Sequence, residues 1–279
     1  MAWTEITRSH YDRSGARYAS DCTDAEWAVV EPFLPRRSRL GRPRKTDLRE
    51  VWNAIQYLAA TGCQWAMLPK NFPPFTTVQH YFYRLRDNGM LDLLNEALVC
   101  ASRTLCRRDE VPTAAVIDSQ SVKTTEAGGP RGFDAGKKIK GRKRHIVTDT
   151  QGHMLTGIVH EASIQDRDGA PRVIGFACDI FPTIAHVFAD SGYSGEKLEA
   201  ALAKMNGPAI EIIKRPDDAK GFVLVARRWV VERTLAWLNR CRRLAKDWEA
   251  SIASSEAWLL IASIRQLTRR IARLAIQST

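Results

Sequence analysis

Apolar positions along the chain first recur at helical spacing and later switch to alternation. In "TDAEWAVVEPFLP" Thr23 and Glu26 form a capping box ahead of a short helix that Pro35 stops. "TDLREVWNAIQYLAATG" sets Val51, Ile55 and Leu58 on one face and ends at Gly62, the pattern of a helix with a glycine C-cap. Past Pro73 and Pro74, "TTVQHYFYRLRDNGM" starts another helix, and "LDLLNEALVCASRTLCRR" a third. Residues 23–110 therefore read as an all-helical region, preceded by a polar, aperiodic stretch, 1–22, that reads as a mobile arm. From residue 111 the period changes. "TAAVID", "RKRHIVTDT" and "HMLTGIVHEA" read as strands, the last two joined by the tight turn "TQG". A helix over 169–178, the strand "IAHVFAD", the helix "GEKLEAALAKM", the strand "AIEIIKR" and two C-terminal helices follow. Consecutive strands followed by alternating helix and strand predict an α/β fold over 111–250, a mixed sheet flanked by helices, with a closing helix over 251–279.

Composition adds a partner class. The 279 residues carry 42 Lys and Arg against 31 acids, a formal charge of +11, which favours a polyanion such as nucleic acid. The six cysteines form no C-x-x-C pair and lack histidines at zinc-finger spacing, so they read as reduced thiols. No apolar run follows the basic start, and no uncharged apolar stretch is long enough to span a bilayer, which predicts a cytoplasmic protein with no membrane partner.

Two apolar strands run into an acid and then a serine: "AAVIDSQ" at Asp118 and "HVFADSG" at Asp190. Taken singly, each aspartate is a turn cap. Together they sit where open sheets gather ligands, beyond strand carboxyl ends, and paired carboxylates call for a bridging cation of oxygen preference such as Mg²⁺. The helix "RRWVVERTLAWLNRCRRLAKDWE" turns Glu232 away from its apolar stripe, beside Arg228, Asn239 and Arg243. That face reads either as a third ligand among phosphate-holding groups or as a solvated surface with an Arg228–Glu232 pair. The Gly-rich loop "TTEAGGPRGFDAGKKIKG" and the residues after it carry Lys137, Lys138, Lys140, Arg142, Lys143 and Arg144, a run suited to sequence-blind backbone contact. In the helical region, Arg84 and Arg86 beside Tyr81 and Tyr83 read either as a groove-reading helix or as a helix whose aromatics serve the core. "GRPRK" reads either as a minor-groove arm or as a basic turn.

The strings "AAVIDSQSVKT", "GGPRGFDAGKKIKGRKRHIVTDTQGHML", "QDRDGA", "FADSGYSG" and "RWVVERTLAWLNRCRRLAKDWE", with "TGCQWAMLP" and "PPFTTVQHYFYRLRDNG" upstream, resemble the DDE transposases of bacterial insertion sequences, the IS-five group. The resemblance covers about residues 21 to 250. It implies a ribonuclease H-like catalytic fold behind an N-terminal all-helical DNA-binding region. It also implies a triad of Asp118, Asp190 and Glu232 that binds Mg²⁺, with Mn²⁺ as an alternative. The implied reaction is two-metal cleavage at element ends and transfer of the 3′ ends into target DNA. The partners implied are double-stranded DNA and further copies of the chain, a homodimer or larger assembly, in the bacterial nucleoid. Expected DNA contacts are Lys123, Arg228, Arg233, Asn239, Arg240, Arg243, Arg84, Arg86 and the basic run. In the family's Tyr, Arg, Glu, Lys signature, Arg228 and Glu232 fit, whereas the tyrosine position holds Val225 and the lysine position Asn239, with Arg240, one residue on, a candidate for the cation's role. Asp166, in "SIQDRDGA", is a further candidate for an auxiliary role, but reads first as a helix N-cap and stays outside the catalytic set. Two other readings stay open: a metal-dependent nuclease without strand transfer, and a non-catalytic DNA-binding protein of the same descent.

Overall fold

The computed structural model describes residues 12–35, 43–213 and 226–278. The first helix, α1 (Asp24–Val30), carries the capping box read from the sequence: Thr23 accepts from the Glu26 amide, and Glu26 accepts from the Thr23 amide. α2 (Leu48–Thr61) starts on an Asp47 cap and ends on Gly62 at φ +71°, the left-handed turn that favours glycine. α3 (Phe75–Asp87) and α4 (Met90–Leu105) follow. Residues 12–22, read as a mobile arm, are pinned instead. Arg13 pairs with Glu26, Arg17 with Glu50, and Tyr18 stacks on Phe72 at 5.2 Å. Residues 1–11 lie outside the described residues, as does most of the basic "RRSRLGRPRK" segment.

The described sheet contains β1 (Ala114–Lys123), β2 (Gly132–Asp134), β3 (Ile139–Asp149), β4 (Met154–Glu161), β5 (His186–Ala189) and β6 (Ala209–Ile212). β1 pairs antiparallel with β3, which pairs antiparallel with β4 and with the short β2. On its other edge β1 pairs parallel with β5, and β5 with β6, so the order is β2-β3-β1-β5-β6 with β4 also on β3. The parallel pairings are reached through α5 (Asp166–Ile180) and α6 (Glu196–Lys204), as parallel strands require. β2, inside the Gly-rich loop, is too short to show alternation. β1 is longer than the apolar run that announced it, because its second half alternates polar and buried residues against β3.

The C-terminal α8 (Ile252–Ser278) joins the two regions in one core. Trp258 stacks on Phe82 of α3, ring centroids 4.6 Å apart. Further along, Ser263 donates to Asn95 of α4, whose amide donates to the Met154 carbonyl of β4. α5 lies so close to β3 that a Cβ at Gly169 would come within 2.8 Å of both His145 and His160. Among the described residues, no helix is long and apolar enough to cross a membrane.

Asp149 at the end of β3 is wholly buried and accepts from Arg103 Nη1 at 2.6 Å and His153 Nδ1 at 2.9 Å. His153 Nε2 meets Ser102 Oγ at 3.1 Å. The order Ser–His–Asp matches a hydrolase triad, yet Ser102 is fully buried in α4, where no acyl substrate reaches it. The group is a clamp between α4 and the β3–β4 turn. Burial pushes the Asp149 carboxyl up, but the hydrogen bonds and charge of His153, with Arg103, outweigh that and hold it at about 2. A depressed carboxylate stabilises the fold above its unfolded pKa of about 4, and that contribution drains away as the pH falls toward the folded value. Asp149→Asn is expected to cost about 2–3 kcal/mol at neutral pH and to flatten the acid limb of urea-denaturation stability.

Candidate active site

Asp118 stands in the middle of β1 rather than at its end, opposite Ile146 of β3. Alternation therefore divides its neighbourhood between two faces of the sheet. Gln120, on the Asp118 face, accepts from the amide of Asn239 at 3.1 Å, just beyond the end of α7 (Ala226–Leu238). Ser119, on the opposite face, donates to Asp166 Oδ1 at 2.7 Å at the start of α5. α7 places Glu232 on the Asp118 side, its apolar residues Val231, Leu235 and Leu238 being buried instead.

Asp190 follows β5 directly and caps a single 3₁₀ turn, accepting from the Gly192 amide at 2.8 Å. The capping and functional readings are thus compatible, since the other carboxylate oxygen faces Arg228 at 4.0 Å. Arg228 also donates to Glu232 at 3.1 Å, so one guanidinium spans the second and third acids. Burial pushes the Asp118 carboxyl up to about 6, with the charges of Asp190 and Glu232 adding to the rise; the Ser119 amide and the Lys137 charge oppose it. The three acids of the sequence reading therefore share one electrostatic neighbourhood, although they come from β1, the end of β5 and α7.

Among the described residues, no three His, Cys, Asp or Glu side chains converge closely enough to hold a metal ion as they stand. The donor chemistry nonetheless fits a hard divalent cation. The acids offer oxygen only, and burial with the charges of Asp190 and Glu232 outweighs the relief that Asp118 draws from the Ser119 amide and Lys137.

Several predicted DNA contacts prove to be internal. Arg142, Lys143 and Arg144 belong to β3 and are buried. Arg142 donates to the carbonyls of Pro130, Glu249 and Ala250 and to Ser255, and pairs with Asp247 at 3.1 Å. Lys143 pairs with Asp166 at 2.8 Å, and Arg144 donates to the Leu244 carbonyl at 2.6 Å. Arg243, also buried, pairs with Glu249 and lies over Trp258. Arg233 is held between Trp229 and Trp237 while donating to the Gln151 carbonyl, and Arg86 is tied to Asp87 and Ser254. In each case the charged head is engaged by carbonyls, acids, hydroxyls or aromatic rings of the fold. Lys123, Lys137, Lys138, Lys140, Arg84 and Arg240 are exposed. Val225 lies outside the described residues.

Asp166 is the first residue of α5 but does not cap it. Burial pushes its carboxyl up, and the bonds from Lys143 and Ser119 more than reverse this. A side chain at Gly192 would lie 3.0 Å from Asp190 and 3.7 Å from Asp166, so this fourth acid borders the site from behind the sheet. The sequence offered Asp166 as an auxiliary candidate behind its reading as a helix cap.

Residues 109–267, which include all three acids, match the family model described as "Transposase DDE domain", and residues 22–95 match "Putative transposase of IS4/5 family". A curated protein of Burkholderia cepacia, "Putative transposase for insertion sequence element IS402", is 34% identical over 128 residues, 43% of this chain and 59% of that protein. "Uncharacterized protein y4sN" of Sinorhizobium fredii is 28% identical over 69 residues, 25% of this chain and 55% of that one. The chain thus spans little more than half the length of these curated relatives. No solved structure matches it. With more than half of its length and its acidic site inside the family model, the chain belongs to the DDE-domain transposases.

Proposed function

We propose that this protein is a DNA transposase that cleaves the ends of an insertion sequence and transfers the 3′ ends into target DNA. One observation supports the reading: within the family-matched region, the charges of Asp190 and Glu232, far off in sequence, reach Asp118, and Arg228 spans the two. The sheet is proposed to be ribonuclease H-like, supported by three antiparallel strands that lead into parallel ones, with the first acid on the central β1. The helices of residues 24–105 are proposed to bind DNA, with Arg84 exposed for a phosphate contact.

Asp118, Asp190 and Glu232 are the residues that would hold Mg²⁺, with Mn²⁺ as an alternative. Such ions supply activation of a water or 3′-hydroxyl and stabilisation of the leaving oxygen. The chain's own part is to fix the acids. The central strand holds Asp118, the capped turn holds Asp190, and α7 holds Glu232 at the edge of solvent, where its side chain is 46% exposed. Arg228 balances the last two acids and is placed to shift onto a phosphate once they are otherwise neutralised. Lys123, Lys138, Lys140 and Arg240 supply outward charge for the DNA backbone, and two protomers would hold two ends together.

The test uses a plasmid carrying the DNA that flanks this chain's own coding sequence, incubated with the full chain and Mg²⁺. Strand breaks at the element boundaries with 3′ ends joined to new DNA are expected. Breaks without joining indicate a nuclease. Salt-sensitive binding without breaks indicates a DNA-binding protein and overturns the enzymatic reading.

A further inference from the structure

We propose that Lys137, carried by the turn between β2 and β3, grips the scissile phosphate beside Asp118 and takes the place of the signature lysine that this chain replaces with Asn239. The inference rests on the transposase reading and names the chain's own substitute for a missing residue. Asn239 is neutral, and its amide is committed to Gln120 at 3.1 Å. Arg228 is divided between Asp190 and Glu232. Of the six cations in the basic run, Arg142, Lys143 and Arg144 are consumed inside the fold. Lys137 differs from all of them, because its ammonium reaches in to the Ser119 carbonyl at 3.2 Å, one residue from Asp118.

The turn that carries it is built rather than loose. The Lys137 amide donates to Asp134 Oδ1 at 3.0 Å, and Asp134 Oδ2 accepts from Ser121 of β1 at 2.6 Å, so the turn is fastened to the strand that bears Asp118. Lys138 next to it takes φ +52°, a left-handed value uncommon for a residue with a side chain. Among the described residues the ammonium donates to one neutral carbonyl, with the charges of Asp118 and Asp134 near it. A phosphate oxygen is a stronger acceptor for an ammonium than that carbonyl, and DNA entering the site would capture the lysine without moving the strand.

Lys137→Gln removes the charge and keeps a hydrogen-bond donor on a side chain of similar bulk. With the plasmid and Mg²⁺ assay above, the cleavage rate at saturating DNA is expected to fall on the order of a hundredfold, the scale of losing one preorganised group at a developing charge. The thermal midpoint should stay unchanged and DNA affinity within about threefold, since one backbone contact among many is lost. Lys137→Arg should restore most of the rate. A Lys137→Gln protein that cleaves like wild type, or that slows only in proportion to weakened binding, overturns this inference and leaves the transposase reading standing. Failure of the wild type to cleave overturns both.

Discussion

Asp118→Asn is expected to abolish metal-dependent cleavage while leaving a folded protein that is more stable than the wild type in EDTA. The loss of activity follows from its place as the most buried of the three acids, with no neighbouring carboxylate able to substitute from β1. The gain in stability follows from the same burial. Its folded pKa of about 6 lies above the usual carboxylate value of about 4, so the folded state binds the extra proton between those limits. Metal-free wild type should therefore gain stability as the pH falls from 7 toward 4, and the asparagine variant should lack that component. At pH 7.5 the difference should be on the order of 1–3 kcal/mol in urea denaturation. Asparagine still accepts from the Ser119 amide, so no buried donor is orphaned. Cleavage by the variant at the wild-type rate would remove Asp118 from the mechanism, and equal stabilities in EDTA would show that its charge is already relieved.

Arg142→Met is expected to be the most damaging single substitution in the basic run, and damaging to the fold rather than to DNA affinity. One wholly buried guanidinium ties β3 to the Gly-rich loop through Pro130 and to the start of α8 through Glu249, Ala250 and Ser255. Its removal leaves Asp247 buried beside unpaired carbonyls, a loss of about 3–5 kcal/mol, which is a large part of the stability of an ordinary domain. Lysine should not rescue it, because one ammonium cannot send planar donors in three directions. The exposed Lys138→Met should stay within about 0.5 kcal/mol of wild type. A shared urea midpoint for Arg142→Met and wild type would mean that the charge is not a structural tie.

The difference between these cations shows where sequence reading reaches its limit. "KKIKGRKR" contains no mark that separates Lys138 from Arg142, because charge run and polymer composition are the same for both. The division is set by β3, whose central position between β1 and β4 buries every residue from Gly141 to Asp149. Helix ends were legible because caps are local chemistry: Thr23 with Glu26, and Gly62 in its left-handed turn. The length of β1 was not legible, since its polar second half is held by pairing partners distant in sequence. The cap reading preferred for Asp166 failed for the same reason, its partners Ser119 and Lys143 lying on β1 and β3.

By itself the sequence determined the order of elements, the mixed α/β character of the second region and the resemblance that singled out Asp118, Asp190 and Glu232. Each of these rests on short-range periodicity or on strings read in place. Tertiary structure alone decided that Asp190 and Glu232 lie near enough for their charges to act on Asp118, that Arg228 stands between two of the acids, that Lys137 bonds the Ser119 carbonyl next to Asp118, and that half of the basic run is internal. Those outcomes depend on which strands become neighbours, and burial in a central strand turns the same arginine from a surface charge into a structural tie.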